Sequence, residues 1–452
     1  MLTNSLLQQD KDHVVHPMVS LRHHERRGAT VIRSADGCFV TDIEGNTLLD
    51  GFAGLWCVNA GYGQQSLVDA ASEQMSRLPY ATQYFHYGSE PPIKLASRLI
   101  DLAPASLDHV FFTLGGSDAI DTVIRLIRYH SNALGQPNRK HIIALERGFH
   151  GSSSNGSGLT GLPVFHDKFD VPTPQQHHIP CPDPYRHPSG PDGQAIIDAS
   201  VAALQAKVEA LGKENVAAFF CELVMGSGGV VVPPDGFATT MQAACRDLGI
   251  LFVVDEVITG FGRTGPLFAC EHEGIEPDFM TVAKGLTSGY APMGAAMMSD
   301  EVYQVLADAV PDGTPLGHGL TYSGHPVSAA VGLAALDLYQ GSLVQNGTKV
   351  GEYFGKRLRE FEGHSLVGHV RSKGLLAAIE VVADKSTKEK FAARSGIGNI
   401  LGAVGYKNDL IFRAFADGIM AFAPPICISE DEVDILIDRI ARTLNTVEKE
   451  LS

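Results

Sequence analysis

Between residues 60 and 300 the chain alternates two hydrophobic patterns. Short, mostly apolar runs at 110–113, 141–145, 216–221, 250–254 and 279–283 read as strands buried on both faces, the habit of a parallel sheet. Between them come helical periods. Ile120, Val123, Ile124 and Ile127 fall at i, i+3, i+4 and i+7, and further helices are predicted over 196–211 and up to about Leu248. This alternation predicts a three-layer α/β domain around a mostly parallel sheet. After Pro326 the pattern changes. Residues 327–339 and 351–361 read as helices, 370–382 and 410–425 as strands, and 430–451 as a closing helix, which together suggest a smaller α+β domain. Residues 38–50 read as strand, turn, strand around Glu44-Gly45-Asn46. The expected organisation is an N-terminal segment (1–60) joining the small domain, a large domain (61–326) and a small domain (327–452).

Two of the runs end in complementary chemistry. The run 250–254 stops at Asp255, and 279–283 stops at Lys284. Open α/β sheets hold ligands at the carboxyl ends of their strands, so these two side chains are expected to share one crevice. An amine opposite an acid suits pyridoxal 5'-phosphate (PLP): the lysine condenses with the cofactor's aldehyde, and the acid keeps its pyridine nitrogen protonated. The plainer alternative is a structural ion pair of small value.

Other stretches supply candidate walls. Leu114-Gly115-Gly116-Ser117-Asp118 opens the 120–127 helical period, with Asp118 and Asp121 near its start and Arg125, Arg128 and His130 toward its end, as the helix dipole prefers. Two glycines and a serine there form either an anion cradle or a simple Ser N-cap. Gly148-Phe149-His150-Gly151 is a turn carrying an aromatic, and the strand 216–221 runs into Glu222. Trp56, the chain's one tryptophan, lies in a glycine-rich stretch and reads as core or as pocket wall. Tyr84 and Phe85 belong to an aromatic cluster, 80–87, without helical spacing, which fits a pocket wall or an interface.

Composition narrows the classes. The chain has 452 residues, long enough for two domains with a large core, and a formal charge of −16 without basic runs, which argues against nucleic-acid or anionic-membrane partners. Seven cysteines are scattered with no C-x-x-C pair, the pattern of a reducing compartment without a disulfide frame or zinc. No signal-peptide pattern and no apolar stretch of membrane-spanning length is read, so a cytoplasmic location is expected. The N-terminal histidines (His13, His16, His23, His24) have spacing that permits a metal site, but no cysteine or carboxylate cluster is read as completing it, so the segment reads as polar surface and no metal is expected.

Gly260-Phe261-Gly262-Arg263-Thr264-Gly265 matches the dinucleotide fingerprint and raises an NAD-dependent oxidoreductase as a distant alternative. That fingerprint needs a helix to open within it. Here Pro266 follows, and Asp255-Glu256 would repel a pyrophosphate.

The segment Asp255-Glu256-Val257-Ile258-Thr259-Gly260-Phe261-Gly262-Arg263-Thr264-Gly265, followed by Pro277-Asp278 and by Lys284-Gly285-Leu286-Thr287-Ser288-Gly289-Tyr290, closely resembles the class III PLP-dependent aminotransferases of fold type I. The likeness covers about residues 20 to 445. Gly54-Leu55-Trp56 and His318-Gly319-Leu320-Thr321 carry a narrower resemblance to the ω-amino acid or amine:pyruvate subgroup. The resemblance implies catalytic roles for Lys284, as Schiff-base lysine and proton shuttle, and for Asp255, at the pyridine nitrogen. It implies phosphate binding by Gly116 and Ser117, and by Thr321 from a partner subunit, hence a homodimer with shared sites, possibly a tetramer. Val257 and Phe149 would flank the ring, with His150 and Glu222 completing the cofactor-binding set. Trp56, Tyr84 and Phe85 would line the substrate pocket, and Arg413 would grip the acceptor's carboxylate. The implied reaction moves an amino group from a primary amine or ω-amino acid to pyruvate, a keto acid, by a ping-pong route through pyridoxamine phosphate. An aminomutase, racemase or decarboxylase on the same scaffold is the nearer alternative. The chain departs from the family pattern at Phe149, where tyrosine is frequent, and at Leu223, where proline usually follows the glutamate.

Overall fold

The computed structural model describes residues 2–451. At its centre lies a seven-stranded sheet: β1 (His109–Thr113), β2 (His141–Leu145), β3 (Gln176–Ile179), β4 (Val216–Cys221), β5 (Leu251–Asp255), β6 (Phe279–Val282) and β7 (Gly294–Met298), in the order β1-β7-β6-β5-β4-β2-β3. Neighbours from β6 through to β3 pair in parallel, while β7 runs antiparallel to both β1 and β6. The expected mixed α/β architecture with a mostly parallel sheet is therefore what the chain forms. β4, β6 and β7 are buried at every position, which explains their unbroken apolar sequences: both faces are covered, so no period-2 alternation is written into them.

The carboxyl end of β5 falls in the middle of this sheet. Asp255 pairs in register with Thr281 of β6, and Val254 with Cys221 of β4. The end of β4 delivers Glu222 and the end of β6 delivers Lys284 to the same edge. Helix Gly116–Ala133 follows β1 and buries Ile120, Val123, Ile124 and Ile127, the stripe read from the sequence.

Two smaller sheets flank the large one. Strands Ile32–Asp36, Phe39–Asp42 and Thr47–Asp50 form an antiparallel meander, and Leu410–Ile411 from the far end of the chain adds in parallel to Thr47–Asp50. Strands Val367–Lys373, Leu376–Val381, Ile419–Phe422 and Arg413–Ala414 form the other. The helices expected at 327–339 and 351–361 are one continuous rod. Pro326–Leu338 passes through a π-helical turn at Tyr339–Leu343 into Val344–Leu358 and a last 3₁₀ stretch, Arg359–Gly363. By length and composition this rod meets the measure of a membrane span, which the separate sequence readings did not reach. It packs instead on helices Gln65–Arg77 and Glu90–Leu102, burying Val327, Val331, Ala335 and Leu336.

The glycine motif at 260–265 opens no helix. It is a turn with Phe261, Gly262 and Gly265 at positive φ (59°, 81° and 118°). Its product is Arg263, fully buried, whose Nη1 donates to the carbonyl of Pro424 (2.5 Å) and whose Nη2 donates to Asn59 Oδ1 (2.8 Å). One guanidinium thus ties the turn after β5 to Asn59 and Pro424, far apart along the chain. Burial lowers its pKa to about 10. The N-terminus also departs from the sequence reading. A carboxylate does join the histidines: Asp10 lies against His16 and His24.

Arg263→Ala leaves the Pro424 carbonyl and Asn59 without their buried donor and should cost about 3 kcal/mol or more. A denaturant midpoint that hardly moves from the parent would contradict this role.

Candidate active site

Gly116, Ser117, Ile120, Phe149, Gly151, Glu222, Asp255, Val257, Ile258 and Lys284 line one cavity at the carboxyl edge of the sheet. Seven sequence-predicted site residues meet there: Gly116, Ser117, Phe149, Glu222, Asp255, Val257 and Lys284.

Asp255 is buried, with 4% of its surface exposed. Its Oδ1 accepts from Thr281 Oγ1 (3.1 Å) and from the backbone N–H of Val257 (3.1 Å). Its Oδ2 lies 3.0 Å from Nδ1 of the fully buried His150. A carboxylate only accepts, so the imidazole hydrogen sits on Nδ1. His150 is in turn fixed by its backbone N–H, which donates to Thr160 Oγ1 (2.9 Å). His150 therefore sits behind Asp255 and steadies it, and it is not one of the cavity-lining residues.

Lys284 begins a 3₁₀ turn after β6 with φ at +41°, a conformation non-glycine residues rarely hold. The turn is wedged in place. A Cβ on Gly285 would meet Asn59 Nδ2 at 2.7 Å and Phe261 Cβ at 2.8 Å. Burial lowers the lysine's pKa from 10.5 to about 8, against the opposing pull of Asp255 and Glu222. Its Nζ lies 5.2 Å from the centre of the Trp56 ring, which is itself buried and edge-packed on Phe52.

Glu222 is buried and its pKa is raised to about 7, burial being the largest cause. Its two oxygens accept from the backbone N–H groups of Phe149 (2.8 Å) and Gly226 (3.1 Å). Glu222 thus fixes the backbone that presents Phe149, whose ring packs edge-on against Phe165 at 5.1 Å.

At the other wall, Gly115 caps the Gly116–Ala133 helix, so Ser117 is not its N-cap. The first backbone N–H groups of a helix have no partner within it. Added side chains would close this cradle. A Cβ on Gly116 would meet Val257 Cγ1 at 2.9 Å, and one on Gly151, at φ +95°, would meet Ser117 Oγ at 2.7 Å.

Four predicted site residues, Thr321 (expected to serve a partner's site), Tyr84, Phe85 and Arg413, are not among those lining this cavity. Thr321 is exposed, its carbonyl accepting from Tyr80 Oη (2.9 Å). Tyr84 and Phe85 are not among the residues that line the chain's own cavity. They sit on a 3₁₀ turn, Phe85 82% exposed, with Tyr84 lying against Gly319 in the loop that carries Thr321. Phe85 faces solvent there, while Tyr84 is partly covered by that loop. Arg413 is half-buried on a short strand, stacked 5.1 Å over Phe415, and makes no ion pair among the described residues.

Thr281, Thr160 and Gly151 were missed from the sequence. Thr281 had a signal: it is the one polar residue in the apolar run that leads to Lys284.

This donor set fits PLP. An acid and a less basic amine share a cavity with a free helix N-terminus, and glycine alone is tolerated where the walls approach. The family profile described as aminotransferase class-III matches residues 21–444. The chain is 40% identical over 439 residues to the putrescine–pyruvate aminotransferase of Pseudomonas aeruginosa, covering 96% of this chain and 94% of that one. Among solved structures it is similar to an (S)-enantioselective omega-transaminase from Thermomicrobium roseum, with a TM-score of 0.95, 41% identity and 98% of each chain covered. It is also similar to the omega transaminase of Pseudomonas jessenii in complex with PMP, with a TM-score of 0.96, 37% identity and 98% of each chain covered. Matched along nearly its whole length, the chain belongs to the class III aminotransferases, the PLP-dependent family whose chemistry its cavity is built to serve.

Proposed function

We propose that this aminotransferase moves the amino group of a primary amine or an ω-amino acid to pyruvate in two half-reactions. One observation carries the reading: a buried carboxylate at the end of β5 and an amine of reduced basicity at the end of β6 line the same cavity. The similarity to a putrescine–pyruvate aminotransferase supports pyruvate as acceptor.

When bound, PLP supplies an aldehyde that condenses with amines and a ring that draws electrons from the carbon losing its proton. Asp255 is the anion that would hold the ring nitrogen. The helix N-terminus at Gly116 and Ser117 would take the phosphate. Val257 and Phe149 would wall the ring's faces, and Phe149 lacks the hydroxyl a tyrosine would offer. Lys284 would be the amine that holds the cofactor's aldehyde and would move the proton at the reacting carbon. Both tasks draw on the neutral amine, and burial, by lowering the pKa to about 8, raises its share near neutral pH. Arg413 would bind the acceptor's carboxylate. A half-buried guanidinium with no ion-pair partner among the described residues suits bidentate recognition.

Thr321, Tyr84 and Phe85 belong, in this reading, to the cavity of a second copy, so the working unit is a homodimer. The exposure of Phe85, Tyr87 and Tyr322 supports a covered surface there.

Lys284→Ala should give a colourless protein whose turnover falls by about 10²–10⁴-fold or more. Amine-plus-pyruvate assays scored by alanine formed check this, and turnover at the parent rate would refute the assignment. Arg413→Ala should lower kcat/KM for pyruvate by at least about tenfold, the scale of a lost charged hydrogen bond. The same variant should change kcat/KM for an uncharged aldehyde little, and equal losses on both would remove Arg413 from carboxylate binding. The lysine also sets a pH dependence in the cofactor-free protein. Its folded pKa (about 8) lies below the ordinary 10.5, so between these values the unfolded chain binds more protons and stability rises with pH. Lys284→Met lacks that rise. Its advantage in unfolding midpoint over the parent should shrink between about pH 7.5 and about pH 9.5, whereas a constant difference would contradict the lowered pKa.

A further inference from the structure

We propose that Asp10, His16 and His24 form a binding site for one divalent transition-metal ion of the zinc type, clipping the two N-terminal helices together. This goes beyond the aminotransfer reading and does not depend on it.

Asp10 lies on helix Leu2–His13 and His24 on helix Leu21–Arg27, with His16 in the connection between them. Asp10 Oδ1 is 2.6 Å from His16 Nε2, and Asp10 Oδ2 is 3.3 Å from His24 Nε2. One ligand atom from each of the three lies within 4.8 Å of the others. The site is shielded: the side chain of His24 is 9% exposed and that of Asp10 is 13% exposed. His24 Nε2 makes no hydrogen bond among the described residues, although it faces the Asp10 carboxylate.

That nitrogen, with a carboxylate nearby but no hydrogen bond, separates two explanations. A His16–Asp10 hydrogen bond leaves His24 Nε2 with only the Asp10 carboxylate at 3.3 Å, a contact that makes no hydrogen bond, so this buried nitrogen is poorly satisfied. A metal ion uses all three. Tetrahedral bonds of about 2.0–2.1 Å put ligand atoms roughly 3.3 Å apart, the separation already held by Asp10 and His24. The shorter His16 contact is the one an ion would replace, releasing the proton it now shares. Two imidazoles and one carboxylate favour zinc, cobalt, nickel or copper over magnesium or calcium, which take oxygen ligands. Asp10 is already oriented by the backbone N–H of Ala29, 3.2 Å from Oδ2, the kind of supporting bond that steadies a metal ligand. Three protein ligands leave a fourth position for water. The arginines of the second helix (Arg22, Arg26 and Arg27) work against a cation, so an affinity on the order of micromolar is expected rather than that of a four-ligand site.

The test uses untagged holoenzyme, stripped with a chelator and titrated calorimetrically with zinc chloride. One ion per chain should bind, magnesium chloride should give no saturable heat, and His24→Ala and Asp10→Asn should each weaken binding at least tenfold. Zinc should also slow proteolysis of the 14–20 connection in the parent and not in the variants. None of these residues lines the PLP cavity, so both variants should keep bound PLP and parental aminotransfer, which verifies their fold. Absence of saturable zinc binding, or parental affinity in either folded variant, overturns the site.

Discussion

The structure turns on a carboxylate held inside a sheet. Asp255 ends β5 with its neighbours on both sides already buried, and an unpaired charge there would cost several kcal/mol. Thr281, the Val257 N–H and His150 share that cost by donating to its two oxygens. Each donor has its own constraint. Thr281 must interrupt an apolar strand, Val257 must stand on the turn just past the acid, and the loop after β2 must carry a fully buried His150 to the back of the site. The cavity's shape follows from meeting these demands together.

The same economy governs the opposite wall. Glu222 accepts with one oxygen from the backbone that presents Phe149 and with the other from Gly226, and glycines at 116 and 151 let the helix start, Val257 and Ser117 approach where any side chain would collide. Lys284 completes the cavity from a strained turn braced by Asn59 and Phe261. Asn59 also accepts from Arg263, so the turn that carries the amine and the buried guanidinium share a residue. The site is stiff because its walls are anchored in the core as well as in the loops.

Much of this was legible in the sequence. Apolar runs ending in Asp255, Glu222 and Lys284 gave the sheet and its working edge, because strands buried on both faces leave chemistry only at their ends. The 3.6-residue period gave the helix after β1. What stayed hidden depended on distant partners. Nothing local marks Arg263 as a fully buried tie; the surrounding glycines suggest a different motif. The π turn at Tyr339–Leu343 fuses two helices whose sequences read separately, since it neither breaks the helix nor carries a proline. Asp10 joins His16 and His24 only once two short helices fold back on each other. Tyr84 and Phe85 read as a pocket wall or an interface; in the chain they lie beside the loop that carries Thr321 and outside its own cavity, a placement that no spacing rule encodes.

The central claim is that Lys284 is the amine that carries the cofactor's aldehyde, opposite Asp255. Borohydride treatment of the PLP-loaded enzyme, followed by peptide mapping, tests it most directly. The account predicts a phosphopyridoxyl mass on the peptide containing Lys284 and on no other. A label on a different lysine, or none on a protein shown to hold PLP, would contradict it.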